Sequence, residues 1–116
     1  MKTLNDRILL HLADGRRVPV EPDDVFSLEA VEGNTLVRTR SADRLIDVRQ
    51  LSVLIQKFED QGFFQTHRGW AVNLRKVREI RANEKGGWEI KLDPPVNRIL
   101  PVSRRRVAEL WARFGD

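Results

Sequence analysis

Gly62-Phe-Phe-Gln-Thr-His-Arg-Gly-Trp-Ala-Val-Asn73 is the stretch on which the reading of this chain turns. It sets aromatic anchors (Phe63, Phe64, Trp70) around a polar cluster (Thr66, His67, Arg68), and its apolar run from Trp70 to Val72 stops at Asn73. Phe64, Trp70 and Val72 can enter a core while His67 and Arg68 stay out on a short loop, which is how a rigid scaffold presents residues to a partner. The same residues also suit an ordinary loop joining a helix to a buried strand, with one solvated Arg and one satisfied His.

Upstream of this stretch, Asp47 and Gln50 stand at the spacing of a capping box, Asp47 as N-cap and Gln50 three residues in. Val48, Leu51, Ile55 and Phe58, with Leu54 beside them, form one apolar stripe. Gly62 falls where a left-handed C-terminal cap belongs. The pattern predicts a helix near 47–61. Before it, Ile8, Leu10 and Leu12 alternate with Leu9 and His11, a strand signal over 7–12. Asp14-Gly15 is a hairpin signal, and 17–20 reads as the return strand. Pro22-Asp23-Asp24 breaks the pattern. Strands follow at 25–31, 36–39 and 45–46, separated by turns at Glu32-Gly33-Asn34 and Ser41-Ala42-Asp43, so the first part is an antiparallel meander.

Downstream, strands are expected at 70–72 and 77–80, then a turn at Glu84-Lys85-Gly86-Gly87. Trp88, Ile90 and Leu92 alternate with Glu89 and Lys91, a half-buried strand. A loop at Asp93-Pro94-Pro95 leads to a last strand at 99–102. Val107, Leu110, Trp111 and Phe114 then share one face of a short helix over 103–114, stopped by Gly115. The fold class predicted is mostly β with small α, in one domain covering 1–116, a length that suits a single core.

Of the 116 residues, 41% are hydrophobic and 33% charged, and Cys is absent, which removes disulfides, thiol nucleophiles and Cys-ligated zinc. No apolar run approaches the ~20 residues of a membrane span. The first 12 residues lack the order of a signal peptide, so a cytoplasmic location is expected. The net charge of +4 is uneven: residues 1–60 carry 9 Lys/Arg and 11 Asp/Glu, whereas residues 61–116 carry 12 and 6. A basic half rich in Arg points toward a polyanion, because the guanidinium fork suits phosphate and guanine. It also fits an Arg-rich solvated surface set by genomic base composition.

Catalysis finds little support. His11 and His67 have no partners at metal-ligand spacing, Asp23-Asp24 sits in a Pro-containing turn, and Gly86-Gly87 lacks the Lys-Ser/Thr of a phosphate-binding loop. No catalytic residue, metal or cofactor is expected. Ser103-Arg104-Arg105-Arg106 is more informative. Ser103 suits an N-cap, but three cations then occupy a helix's first turn, where the dipole disfavours them by roughly 0.3–1 kcal/mol each. A bound phosphate would remove that conflict; so would three side chains swung into solvent. Asn34 reads as hairpin chemistry, although its amide can also meet an adenine edge or a phosphate.

These motifs resemble the LytTR DNA-binding domain of bacterial transcription regulators. The resemblance is carried by Phe64-Gln-Thr-His67-Arg68-Gly-Trp-Ala-Val72-Asn73-Leu74, by Val77-Arg-Glu-Ile80, and by Leu100-Pro101-Val102-Ser103-Arg104-Arg105. The segment Val25-Phe-Ser-Leu-Glu29-Ala, the Gly33-Asn34 turn and a helix with Leu51 and Leu54 also fit. It implies an elongated fold of short antiparallel sheets whose loops, and not a recognition helix, enter successive major grooves at paired direct repeats and bend the duplex. By position it implies base contacts from Asn34, Arg68 and Arg104. It implies phosphate contacts from His67, the Gly69 backbone N–H, Arg105, Gln50 and Ser52. Gly69 stands where the family often has Ser, and Thr35 where an aromatic is common.

The partners implied are double-stranded DNA, a second copy on DNA, and an upstream receiver or sensor that feeds this output domain. The chain is then either a stand-alone regulator or a fragment. Two other classes stay open on the residues. A basic β-rich module could dock an acidic partner or sensor domain. RNA binding would need exposed aromatic platforms, whereas most of the 5 Phe and 3 Trp are patterned as core.

Overall fold

The computed structural model describes residues 6–41 and 44–116. The turn expected at Ser41-Ala42-Asp43 falls on Ala42 and Asp43, outside the described residues. Strands β1 (Ile8–His11) and β2 (Arg17–Val20) form a hairpin. A central antiparallel sheet contains β3 (Val25–Val31), β4 (Asn34–Thr39), β5 (Arg44–Asp47), β6 (Phe63–His67) and β7 (Trp70–Asn73), in the order β5-β4-β3-β7-β6. A third sheet holds β8 (Val77–Ala82), β9 (Trp88–Leu92) and β10 (Ile99–Val102) in the order β10-β9-β8. Helices α1 (Leu51–Leu54) and α2 (Val107–Arg113) are short. The fold is mostly β with small α, as the alternation implied.

The central sheet is buried on both faces, and that explains its sequence. Antiparallel sheets often keep one face wet and so alternate apolar with polar. Here Phe63 packs into one core with Leu10, Leu28, Leu54 and Phe58, while its neighbour Phe64 packs into a second with Phe26, Val72, Ile90 and Leu110. The β1–β2 hairpin and α1 cover the first face; the third sheet and α2 cover the second. A register shift between Val25 and Ser27 makes Phe26 a bulge residue. The extra residue reverses the parity of β3. Val25 and Leu28 therefore share the first core, and Phe26 enters the second.

Two buried carboxylates tie the layers together. Glu29 on β3 accepts from Arg38 Nε at 2.6 Å and from Arg98 Nη2, in the β9–β10 loop, at 2.8 Å. Burial pushes its carboxyl up, but the hydrogen bonds and charges of Arg98 and Arg38 more than offset this and hold it below the usual range. Asp47 behaves alike: burial raises it, and Arg49 with the backbone N–H groups of His11 and Arg49 brings it lower.

Asp47 is therefore not the start of a helix. It ends β5, and its carboxylate latches β1 instead of capping. Gln50 takes the N-cap position without a side-chain cap bond, and one α turn passes into 3-10 turns at Ile55–Lys57 and Glu59–Gln61 before Gly62 caps at φ +86°. Helical structure thus occupies the later part of the predicted 47–61 span. Val48 and Phe114, assigned to the apolar stripes, are each about half exposed. Over 103–114, a 3-10 turn at Arg104–Arg106 precedes α2, and the Ser103 hydroxyl makes no cap bond. The body measures 42 × 36 × 25 Å with a radius of gyration of 14.1 Å, against about 13 Å for a compact chain of this length. It is a flattened, slightly elongated slab.

Candidate nucleic-acid interface

The Arg68 and Arg104 turns are distant in sequence and adjacent in space. Ser103 N–H donates to the Thr66 carbonyl at 2.8 Å, so the end of β6 meets the junction between β10 and α2. Arg68 lies just beyond Thr66, and Arg104 just beyond Ser103. Two more bonds brace the same seam: Trp70 Nε1 donates to the Pro101 carbonyl at 3.0 Å, and Arg106 Nε to the Gln65 carbonyl at 2.8 Å. On the other side, Ala30 N–H donates to the Gly69 carbonyl at 2.8 Å, which sets the β3–β4 hairpin beside the Arg68-Gly69 turn. Thr35 Oγ1 donates to the Arg49 carbonyl at 2.8 Å and draws the start of α1 alongside. All eight residues singled out from the sequence thus line one end of the central sheet.

Their individual settings differ. Arg68, Arg104 and Arg105 are exposed, and their guanidinium groups make no hydrogen bond or ion pair with another described residue; the Arg68 carbonyl accepts from Gln65 Nε2 at 3.3 Å. Many other arginines are committed, among them Arg38, Arg49, Arg81 and Arg98. Arg106 is the exception within its triplet. Its guanidinium folds back over the Phe64 ring at 4.6 Å and pairs with Glu109 at 2.9 Å. The crowding of three cations at the helix entry is thereby relieved for one residue and retained for two. The sequence gives no sign of which Arg turns inward.

His67 lies flat on Trp70, ring centroids 4.1 Å apart and planes 13° off parallel. Its Nδ1 accepts from the Gly69 N–H at 3.0 Å, which leaves Nε2–H as the free donor of the neutral ring. The Gly69 N–H, expected to meet a phosphate, is therefore already used within the tip. Gln50 is exposed with its amide unpartnered at the N-cap, and Ser52 is exposed in the first turn of α1.

Asn34 is not at a loop tip. It opens β4 opposite Val31, and the two loop residues are Glu32 (φ +50°) and Gly33 (φ +85°). Of the two-residue hairpins that match the strand twist, the type I′ form has positive φ at both positions, as here. Gly33 meets this without cost; Glu32 does so under strain and puts a carboxylate at the tip. Trp70 is the residue whose role here the sequence reading missed. A Trp beside a polar loop needs a partner for its indole N–H, but which carbonyl supplies it depends on a contact 31 residues away.

Residues 15–115 match the family model described as the LytTr DNA-binding domain. The transcriptional regulatory protein YpdB of Escherichia coli strain K12 is 32% identical over 106 residues, 90% of this chain and 42% of that protein. YpdB of Shigella flexneri is similar to the same extent. The chain spans under half the length of these curated relatives. A LytTr DNA-binding domain from Bacillus cereus superposes with a TM-score of 0.78 at 21% identity, covering 96% of this chain and 98% of that one. That likeness is one of fold. Among the described residues, no helix is long and apolar enough to cross a membrane.

Proposed function

This chain belongs to the LytTR family of DNA-binding domains, and from that premise we propose that it binds specific sites on double-stranded DNA in the control of bacterial transcription. Turns and strand ends at one end of the central sheet, and not an inserted helix, do the reading. Asn34, Arg68 and Arg104 meet base edges; His67, Arg105, Gln50 and Ser52 meet phosphates; Gly69 acts by holding the His67 ring. The observation that supports this assignment is the Thr66–Ser103 hydrogen bond, because it brings together the two backbone segments that bear the exposed Arg68 and Arg104.

Strand spacing sets the reach. From β4 through β3 and β7 to β6, and on to the Ser103 junction, is four spacings, about 19 Å. Successive major grooves return to one side of straight B-DNA every ~34 Å. Long side chains close part of that gap. Curvature of the duplex toward the protein closes the rest, at a cost of order 1–6 kcal/mol that the extra contacts offset.

Selection of bound sites from a random duplex library, followed by competition against scrambled sequence, tests the proposal. Enrichment of a pair of direct repeats is the expected result and would indicate two copies per site. Equal affinity for selected and scrambled DNA would overturn it and favour an acidic protein partner for the basic half. Receipt of a signal from a receiver or sensor region belongs to the same proposal, since the longer relatives are regulators.

A further inference from the structure

We propose that Trp70 is a positioning residue for DNA reading: its indole holds the Arg68 tip and the Arg104 turn at one fixed separation. The inference rests on the DNA-binding reading above and adds a residue to it that touches no DNA. Three observations meet at this side chain. Its ring is stacked with His67, the residue beside Arg68, at 4.1 Å between centroids. Its Nε1–H donates to the Pro101 carbonyl at 3.0 Å, three residues before Arg104. Its backbone pairs in register with Glu29, whose carboxylate is gripped by Arg38 and Arg98.

The geometry divides the work. The neighbouring Thr66–Ser103 bond joins two backbones, and the bond from Arg106 Nε to the Gln65 carbonyl ties the helix side of the junction, but neither bond holds β10 itself. The indole supplies the fixed point on β10, at Pro101, and a flat support under the tip. With β10 and the helix side of the junction both tied to the β6–β7 tip, the separation of the Arg68 backbone from that of Arg104 is set. Bidentate recognition of two base pairs requires that separation, because a guanidinium displaced by about 1 Å loses one arm of its fork. Phosphate contact by Arg105 tolerates more slack, since charge attraction is not directional. Trp70 therefore controls selectivity more than general affinity.

The test uses Trp70→Phe, which keeps an aromatic face for His67 and removes only the N–H, and Trp70→Leu, which removes both. Each is measured against the selected site and against scrambled duplex of equal length, with salt titration. Trp70→Phe is expected to lower selected-site affinity about three- to tenfold, the worth of one hydrogen bond, with scrambled-site affinity and salt slope unchanged. Trp70→Leu is expected to fall further on the selected site alone. A merely structural residue would lower both affinities together. In the unaltered protein, the Trp70 indole proton is expected to exchange with deuterium more slowly than an unbonded indole, and more slowly still on the selected duplex. An unchanged ratio of selected to scrambled affinity in Trp70→Phe overturns the proposal, as does a rapidly exchanging indole proton. If the unaltered protein shows no site preference at all, the DNA-reading assignment fails instead, and the exchange measurement still decides the clamp.

Discussion

The Thr66 carbonyl accepts the Ser103 N–H at 2.8 Å, which joins the penultimate residue of β6 to the first residue after β10. Two arginines whose guanidinium groups have no partner among the described residues flank that bond. Replacing either Arg68 or Arg104 by Ala is expected to weaken specific binding by about 1–3 kcal/mol, roughly 5- to 150-fold, and to relax preference at one base position each. Competition gel shifts with single-base variants of the selected site would show it. Loss of affinity without any change in preference would reassign the residue to the phosphates.

Arg105→Ala should behave differently. It is exposed and unpaired, like Arg104, but is assigned to a phosphate. Affinity should drop on every duplex alike, and the slope of log K against log salt should become shallower by about 0.9.

Glu32 offers a gain. It adopts φ +50° at the first position of a two-residue hairpin loop and adds a carboxylate to the end proposed to meet DNA. Asn-Gly is the pairing such loops favour. Glu32→Asn is expected to raise stability by about 0.5–1 kcal/mol and to strengthen binding to any duplex. Urea unfolding and filter binding measure the two effects separately.

Thr66 is fully buried, and its hydroxyl has no hydrogen-bond partner among the described residues. Thr66→Val removes the unpaired group at nearly constant shape and should stabilise the fold by about 1 kcal/mol. The Thr66 carbonyl, which joins Ser103, is untouched by the change, so DNA preference should stay the same. A destabilised variant in urea would show that the hydroxyl is satisfied in solution.

The buried carboxylates predict the response to acid. Glu29 and Asp47 titrate below their ordinary values of 4.5 and 3.8 when folded. The unfolded chain therefore binds more protons than the folded one across that window. Their contribution is complete above the ordinary values and disappears as pH falls through the lower folded ones. Melting temperature should hold steady near neutrality and drop below about pH 4.5. Glu29→Gln should cost about 1–3 kcal/mol at neutral pH and flatten the acid limb.

Local patterns carried the strands and the family motifs, because alternation and turn chemistry act over a few residues. Ile8, Leu10 and Leu12 face inward as their spacing implied. What spacing could not convey was long-range. Asp47 and Gln50 have the form of a capping box, yet Asp47 is taken by His11 and Arg49. Phe63 and Phe64 look inconsistent with a strand until both faces of the sheet are found covered. Each candidate contact was visible as a residue type, but their meeting at one end rests on bonds such as Ala30–Gly69 and Thr66–Ser103.

The bulge at Phe26 decides where this domain tolerates changes in length. Without that extra residue in the ladder, Val25 and Phe26 would exchange interiors, while Leu28 and Glu29 keep the register fixed by the β3–β4 hairpin. Natural insertions and deletions should therefore avoid that strand and gather at the Gly86-Gly87 hairpin, where extra chain projects into water and disturbs neither interior.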